Sequence, residues 1–133
     1  MTSEAACVGA VGAVIGVILG TAADRYDAMR SFYVETLGMP VRTDRPGHVN
    51  FQWGNTRLTI ATHDEVSGPA RDPRRLLLNL AVDDIEAVAA GLRGAGVTFV
   101  REPSSEPWGG SIATFEDPDG NTLQLMQLPP GGE

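Results

Sequence analysis

The amino-acid sequence predicts an α+β domain made of two βαβββ modules related by a pseudo-two-fold axis. Two observations carry that expectation. A helix-period apolar stripe occurs twice: Tyr26, Met29, Phe32, Tyr33 and Leu37, then Ile85, Val88, Ala89 and Leu92. The triplet Gly-Asn-Thr also occurs twice, at 54–56 and 120–122, each time opening a strand-like segment after a strand-like partner. Two copies of a unit too small to close a core alone are expected to pack side by side. With 133 residues, the chain can form one domain with a real core but not two independent ones.

The elements follow in order. Residues 1–13 read as an apolar arm, and Val14 to Leu19 as a buried, β-branched strand. The uncharged run from Ala5 to Ala23 has nearly the length of about 20 residues that a membrane helix needs, with Gly12, Gly16 and Gly20 at helix-dimer spacing. Its Gly/Ala composition and acidic start favour an arm leading into a strand over a membrane span or a secretory signal. Asp24 to Leu37 reads as the first helix, with Asp24 as cap, Gly38 as left-handed stop and Pro40 blocking continuation. The strands Val41–Arg42, His48–Trp53 and Arg57–Thr62 complete module one, residues 14–62. A connector, 63–75, carries the Pro-rich stretch Ser67–Pro73. Module two, 76–128, repeats the plan. It has a strand Leu76–Val82, a helix opened by Asp83 and Glu86 and ended by Gly96, and the strands Val97–Arg101, Ser111–Glu116 and Leu123–Leu128. Residues 129–133 form a tail, so 14–128 is one domain.

Composition narrows the chemistry. The formal charge is −7, which argues against nucleic acid, since phosphate binding needs clustered cations. It suits a cationic ligand or plain acidic solubility. All ten basic residues are Arg, so Schiff-base chemistry and a phosphate-binding lysine are excluded. Cys7 is the only cysteine, which excludes an internal disulfide and multi-cysteine zinc, and fits a reducing cytoplasm. No Gly-x-Ser-x-Gly elbow occurs.

Three stretches in this order resemble the vicinal oxygen chelate superfamily, which holds glyoxalase I, extradiol dioxygenases, fosfomycin-modifying enzymes and bleomycin resistance proteins. They are Phe32-Tyr33 with Leu37-Gly38, then Leu80-Ala81-Val82-Asp83-Asp84-Ile85, then Phe115-Glu116-Asp117-Pro118-Asp119-Gly120-Asn121-Thr122-Leu123-Gln124-Leu125. The resemblance spans Val14 to Leu128 and implies paired βαβββ modules, a dimer, and a cavity walled by curled sheets. The Asp-Pro-Asp-Gly-Asn segment also has a plain role, as a reverse turn whose residues tolerate unusual backbone angles.

Catalytic members of that family hold a divalent metal on the first and last strands of each module, usually with His and Glu. Carried over position by position, the resemblance puts Gly16, Thr59, Leu77 and Gln124 at those places. Gly and Leu cannot ligate. A Thr hydroxyl and a neutral Gln amide hold such ions poorly. No metal and no cofactor is therefore expected. An atypical site from His48, His63 and the neighbouring Asp64 or Glu65 is chemically possible, but no spacing joins the histidines.

A cavity without metal can still bind. Strand alternation places Phe51 and Trp53 on one face, with His48, Asn50 and Gln52 on the other. The expected ligand-binding set is Phe51, Trp53, Thr59, Leu77, Asn79, Trp108 and Gln124, with no catalytic residue. Trp108 lies in a Gly-flanked loop and offers an indole face for planar or cationic groups. Filling of the core or dimer seam is the alternative role for both tryptophans. The expected function is metal-independent sequestration of an aromatic or cationic small molecule, as in the bleomycin resistance branch, by a cytoplasmic homodimer without nucleic-acid or membrane partners. A metal-dependent glyoxalase or dioxygenase-type enzyme and a non-catalytic scaffold are the alternatives.

Overall fold

The computed structural model describes residues 11–131, so Cys7 and the first ten residues of the arm lie outside the described residues, as do 132 and 133. Val11 of the arm is strongly exposed, and so are Val14, Ile15 and Ile18 of the strand expected to be buried, within which Leu19 alone is buried. The chain is two modules of the same plan. Module one runs β1 (Gly16–Thr21), a short 3₁₀ turn (Ala23–Arg25), α1 (Tyr26–Ser31), a π turn (Phe32–Thr36), β2 (Val41–Arg45), β3 (His48–Trp53) and β4 (Thr56–Thr62). Module two runs β5 (Leu77–Ala81), α2 (Ile85–Gly94), β6 (Phe99–Ser105), β7 (Ser111–Glu116) and β8 (Thr122–Gln127).

Each module forms a four-stranded sheet of matching topology, β1-β4-β3-β2 and β5-β8-β7-β6. The first strand pairs parallel with the last, and the other pairs are antiparallel. Gly54 (φ 54°) and Gly120 (φ 85°) take the left-handed angles expected of the two repeated turns.

Three local details differ from the sequence expectation. β1 begins two residues later than Val14, because Arg57 N–H reaches only as far back as the Ile15 carbonyl. Asp24 does not cap the first helix. It lies inside the 3₁₀ turn, and neither start carries a side-chain cap bond. In module two Asp84, rather than Asp83, is the cap, its carboxylate accepting from Ala87 N–H at 3.1 Å.

The first helix ends in a π turn, where Leu37 N–H bonds the Phe32 carbonyl at 2.8 Å. That widened turn lets the adjacent rings of Phe32 and Tyr33 both pack inward. One hydrophobic core serves both sheets. Leu19, Val49, Phe51, Leu58 and Ile60 enter from the first, and Ala113, Phe115, Leu123 and Leu125 from the second. Phe115 contacts Phe32 (6.2 Å between centroids) and Phe99 (5.6 Å), closing the seam between modules with aromatic rings. Full burial of each such side chain contributes about 1.5–3 kcal/mol.

Polar contacts fasten the same seam. Tyr33 Oη donates to Asp117 Oδ2 at 2.7 Å, and Thr21 Oγ1 donates to Asp119 Oδ2 at 2.7 Å. Arg25 Nε pairs with Asp119 Oδ1, and its Nη2 donates to the Pro118 carbonyl at 2.8 Å. The Asp-Pro-Asp-Gly-Asn turn is thus structural, and it is also the docking point for module one.

Candidate functional site

Strand registers sort the expected site residues by face. In sheet one, Ile18, Thr59 and Asn50 lie opposite one another on neighbouring strands, one residue out of phase with the core-facing Leu19, Leu58, Ile60, Val49 and Phe51. They therefore occupy the outer face, away from the helix. There Asn50 Nδ2 donates to Thr59 Oγ1 at 2.7 Å, and Arg42 Nη1 stands 3.5 Å from Asn50 Oδ1. In sheet two, Asn79, Gln124 and Thr114 form the corresponding row, with Leu77 beside Thr122 in the next one. These outer faces carry amides, hydroxyls and a few exposed aliphatics such as Ile18 and Leu77.

Both sheets turn their other sides into the shared core. Thr59 lies on the outer face of one sheet and Leu77, Asn79 and Gln124 on that of the other. Among the described residues, no three His, Cys, Asp or Glu side chains gather where they could hold a metal ion. His63 sits at a turn, its Nδ1 accepting from Glu65 N–H at 3.1 Å, while His48 pairs across the sheet with Ala61. Among the described residues, His48 Nδ1 and Tyr26 Oη are buried without a hydrogen-bond partner, and burial raises the Tyr26 phenol above its ordinary range.

The aromatic members are dispersed. Phe51 is wholly buried in the core, 6.3 Å from the Tyr33 ring, so it supports the sheet and does not line a cavity. Strand parity does place it with Trp53, but the shared face is the helix side. Trp53 lies at the end of β3, 43% exposed, on the wall of a cleft of about 510 Å³ between the modules. Asn79 borders the same cleft. Trp108 sits on the β6–β7 hairpin loop with its indole laid against Gly110, where an added Cβ would collide with the ring.

The cleft itself was not legible from strand parity. Its wall is made by Val17 and Leu58 from sheet one, Leu78 and Leu80 from β5, and Val88 and Leu92 from α2. These read as ordinary core positions in the sequence.

The buried carboxyl of Asp117 lies outside this cleft, at the module seam. Burial pushes it above the usual carboxylate range, against the pull of donors from Tyr33, Asn121 and the Asp119 backbone. The Tyr33 phenol is raised too, by burial first and by the neighbouring Asp117 charge second. These groups hold the modules together, and Asp117 also borders a second hollow, of about 340 Å³, with Phe32, Thr36, Val97 and Glu116.

Paired βαβββ modules, each a four-stranded sheet whose first strand runs parallel to its last, define the architecture. Comparison with known proteins narrows this further. Residues 17–125 match the family model described as Glyoxalase/Bleomycin resistance protein/Dioxygenase superfamily, and the chain belongs to that superfamily. It is 28% identical over 111 residues to a bleomycin resistance protein of Klebsiella pneumoniae, covering 77% of this chain and 83% of that one. Among solved structures it resembles TnmS3, an antibiotic binding protein from Streptomyces sp. CB03234, at 30% identity and TM-score 0.66, covering 89% of this chain and 97% of the other. A lactoylglutathione lyase from Agrobacterium tumefaciens shares the fold at 18% identity and TM-score 0.67, covering 88% of this chain and 94% of the other. That last likeness concerns architecture alone.

Proposed function

We propose that this chain binds a small organic molecule, aromatic or cationic, without a metal and without transforming it. The observation that carries the reading is the chemistry of the outer faces. The positions that correspond to the family's chelating side chains hold Gly16, Thr59, Leu77 and Gln124, and Thr59 is already engaged by the Asn50 amide. Neutral amides and hydroxyls can orient a polar guest by hydrogen bonds but supply little charge to polarise it. The bleomycin resistance relative and the antibiotic-binding structure support the same reading.

In this proposal the working unit is a cytoplasmic homodimer of the 14–128 domain. A second copy brings the Thr59 half-site of one chain over the Leu77, Asn79 and Gln124 half-site of the other. Exposed Ile18 and Leu77 on those faces supply apolar area for the contact. Trp108, 45% exposed at the end of sheet two, offers the stacking surface.

The test is calorimetric titration of purified protein with bleomycin and a panel of planar cationic antibiotics, before and after exhaustive chelation. Saturable binding that survives chelation, weakens by about tenfold in Gln124→Ala and returns the ligand chemically unchanged is expected. Loss of binding on chelation, or metal-dependent turnover of a glutathione–methylglyoxal adduct or a catechol, would reject it in favour of an enzyme. Silence across the panel would favour a scaffold.

A further inference from the structure

We infer that the outer face of sheet one is the anion-binding part of the proposed site, and that its guest is an aromatic acid. The inference rests on the reading that the outer faces take up a small organic molecule. It narrows that reading, because this face suits an acid and repels a cation.

Strand parity decides the charge of the face. Arg45, His48, Asn50, Arg57 and Thr59 point outward, because Val49, Phe51, Leu58 and Ile60 point into the core. Arg42 joins them through the bulge between Val41 and Thr43, which sets two residues of β2 against Asn50. Its Nη1 lies 3.5 Å from Asn50 Oδ1, on that same face. Asp44 is the one acidic residue of the four strands. Alternation puts it beside Val49 on the helix side, where Arg30 holds it. The outward side chains of these strands therefore include three guanidiniums and no carboxylate, although the chain carries a net −7.

These three cations are uncommitted. Arg25, Arg30, Arg75, Arg93 and Arg101 each pair with a carboxylate, whereas Arg42, Arg45 and Arg57 pair with none among the described residues. Sheet two differs. There Arg101 follows the corresponding bulge and stands opposite Thr114, but Glu106 neutralises it. The two modules repeat their backbone and not their charge.

One row across sheet one outlines the guest. Ile18, Thr59, Asn50 and Thr43 lie side by side on β1, β4, β3 and β2, with Arg42 at the β2 end. The row runs from an aliphatic side chain, 72% exposed, through a hydroxyl and an amide to a guanidinium. At ~4.8 Å between strands its ends stand roughly 14 Å apart, which suits an elongated acid with an apolar body. Thr59 and Asn50 are buried, so the middle of the row is shielded from water, and that strengthens a charge-assisted hydrogen bond beside it. The Arg42–Asn50 contact is at the outer limit for a hydrogen bond and leaves most of the guanidinium N–H groups able to grip a carboxylate.

The experiment is calorimetric titration of the full chain with biphenyl-4-acetate, its neutral amide and 4-biphenylmethylamine at low salt. The acid is expected to bind about tenfold more tightly than the amide, and the amine more weakly than either. Arg42→Gln should cost the acid about tenfold and leave the amide unchanged, and ~0.5 M salt should shrink the preference. Arg75→Gln is the control, since Arg75 pairs with Asp72 on the exposed surface, and it should change neither affinity. Equal affinity for acid and amide, or tighter binding of the amine, overturns the inference while the wider reading stands. Binding of none of the three overturns it as well, and the wider reading falls with it only if bleomycin also fails to bind. A changed sedimentation coefficient in Arg42→Gln likewise overturns it, because a carboxylate of a second copy would then be the occupant.

Discussion

The Tyr33 hydroxyl donates to Asp117 Oδ2 at 2.7 Å, so the first helix of one module is bonded to the last hairpin of the other. Both groups are buried, and the same carboxylate also accepts from Asn121 Nδ2 at 2.8 Å. The contact joins residues far apart in sequence and is a direct link in the module seam.

Removing it by Tyr33→Phe should cost about 1.5–3 kcal/mol at pH 7, since a hydrogen bond to a charged buried group is lost. The difference should shrink at alkaline pH. An unfolded tyrosine releases its proton near pH 10, while the buried Tyr33 keeps its own to higher pH. The unfolded state then binds fewer protons, so this tyrosine's contribution falls as pH rises above about 10. Urea unfolding of both proteins from pH 7 to 11 checks this; parallel curves throughout would refute it.

Thr21 and Asp119 should behave as a coupled pair. Thr21→Val leaves one oxygen of a buried carboxylate without its donor, at a cost of about 1–3 kcal/mol. In a double-mutant cycle with Asp119→Asn, the coupling should be about 0.5–3 kcal/mol. Additive losses would mean that the bond does not contribute to folding.

Phe51 should prove a stability residue. With no exposed surface and a ring 6.3 Å from that of Tyr33, Phe51→Ala should cost about 3–5 kcal/mol. At temperatures where the variant stays folded, its ligand affinity should remain within about threefold of the parent. A large affinity loss with little change in melting would restore Phe51 to the binding site.

Gly110 should tolerate no side chain. A Cβ there would strike the Trp108 ring and stand 2.5 Å from the Gln127 carbonyl. Gly110→Ala should therefore cost about 1–3 kcal/mol and shift Trp108 emission as the indole is driven off its seat. Unchanged emission in a Trp53→Phe background would count against that packing.

The sequence by itself determined the elements and their duplication. Gly54 and Gly120 announced matching turns, the two apolar stripes announced the helices, and alternation alone put Phe51 with Trp53 and apart from Asn50. It did so because turn chemistry and side-chain periodicity are local properties of the backbone. Only the tertiary structure decided which of the alternating faces meets the core. That choice buried Phe51, set Thr59 and Gln124 on separate outer faces, and opened an aliphatic cleft among residues that read as core. It also turned the Asp117–Asn121 turn into a docking point for Tyr33, Thr21 and Arg25. Such outcomes depend on how volumes and polar groups from distant segments fit against one another, and that complementarity is written in no single stretch of the chain.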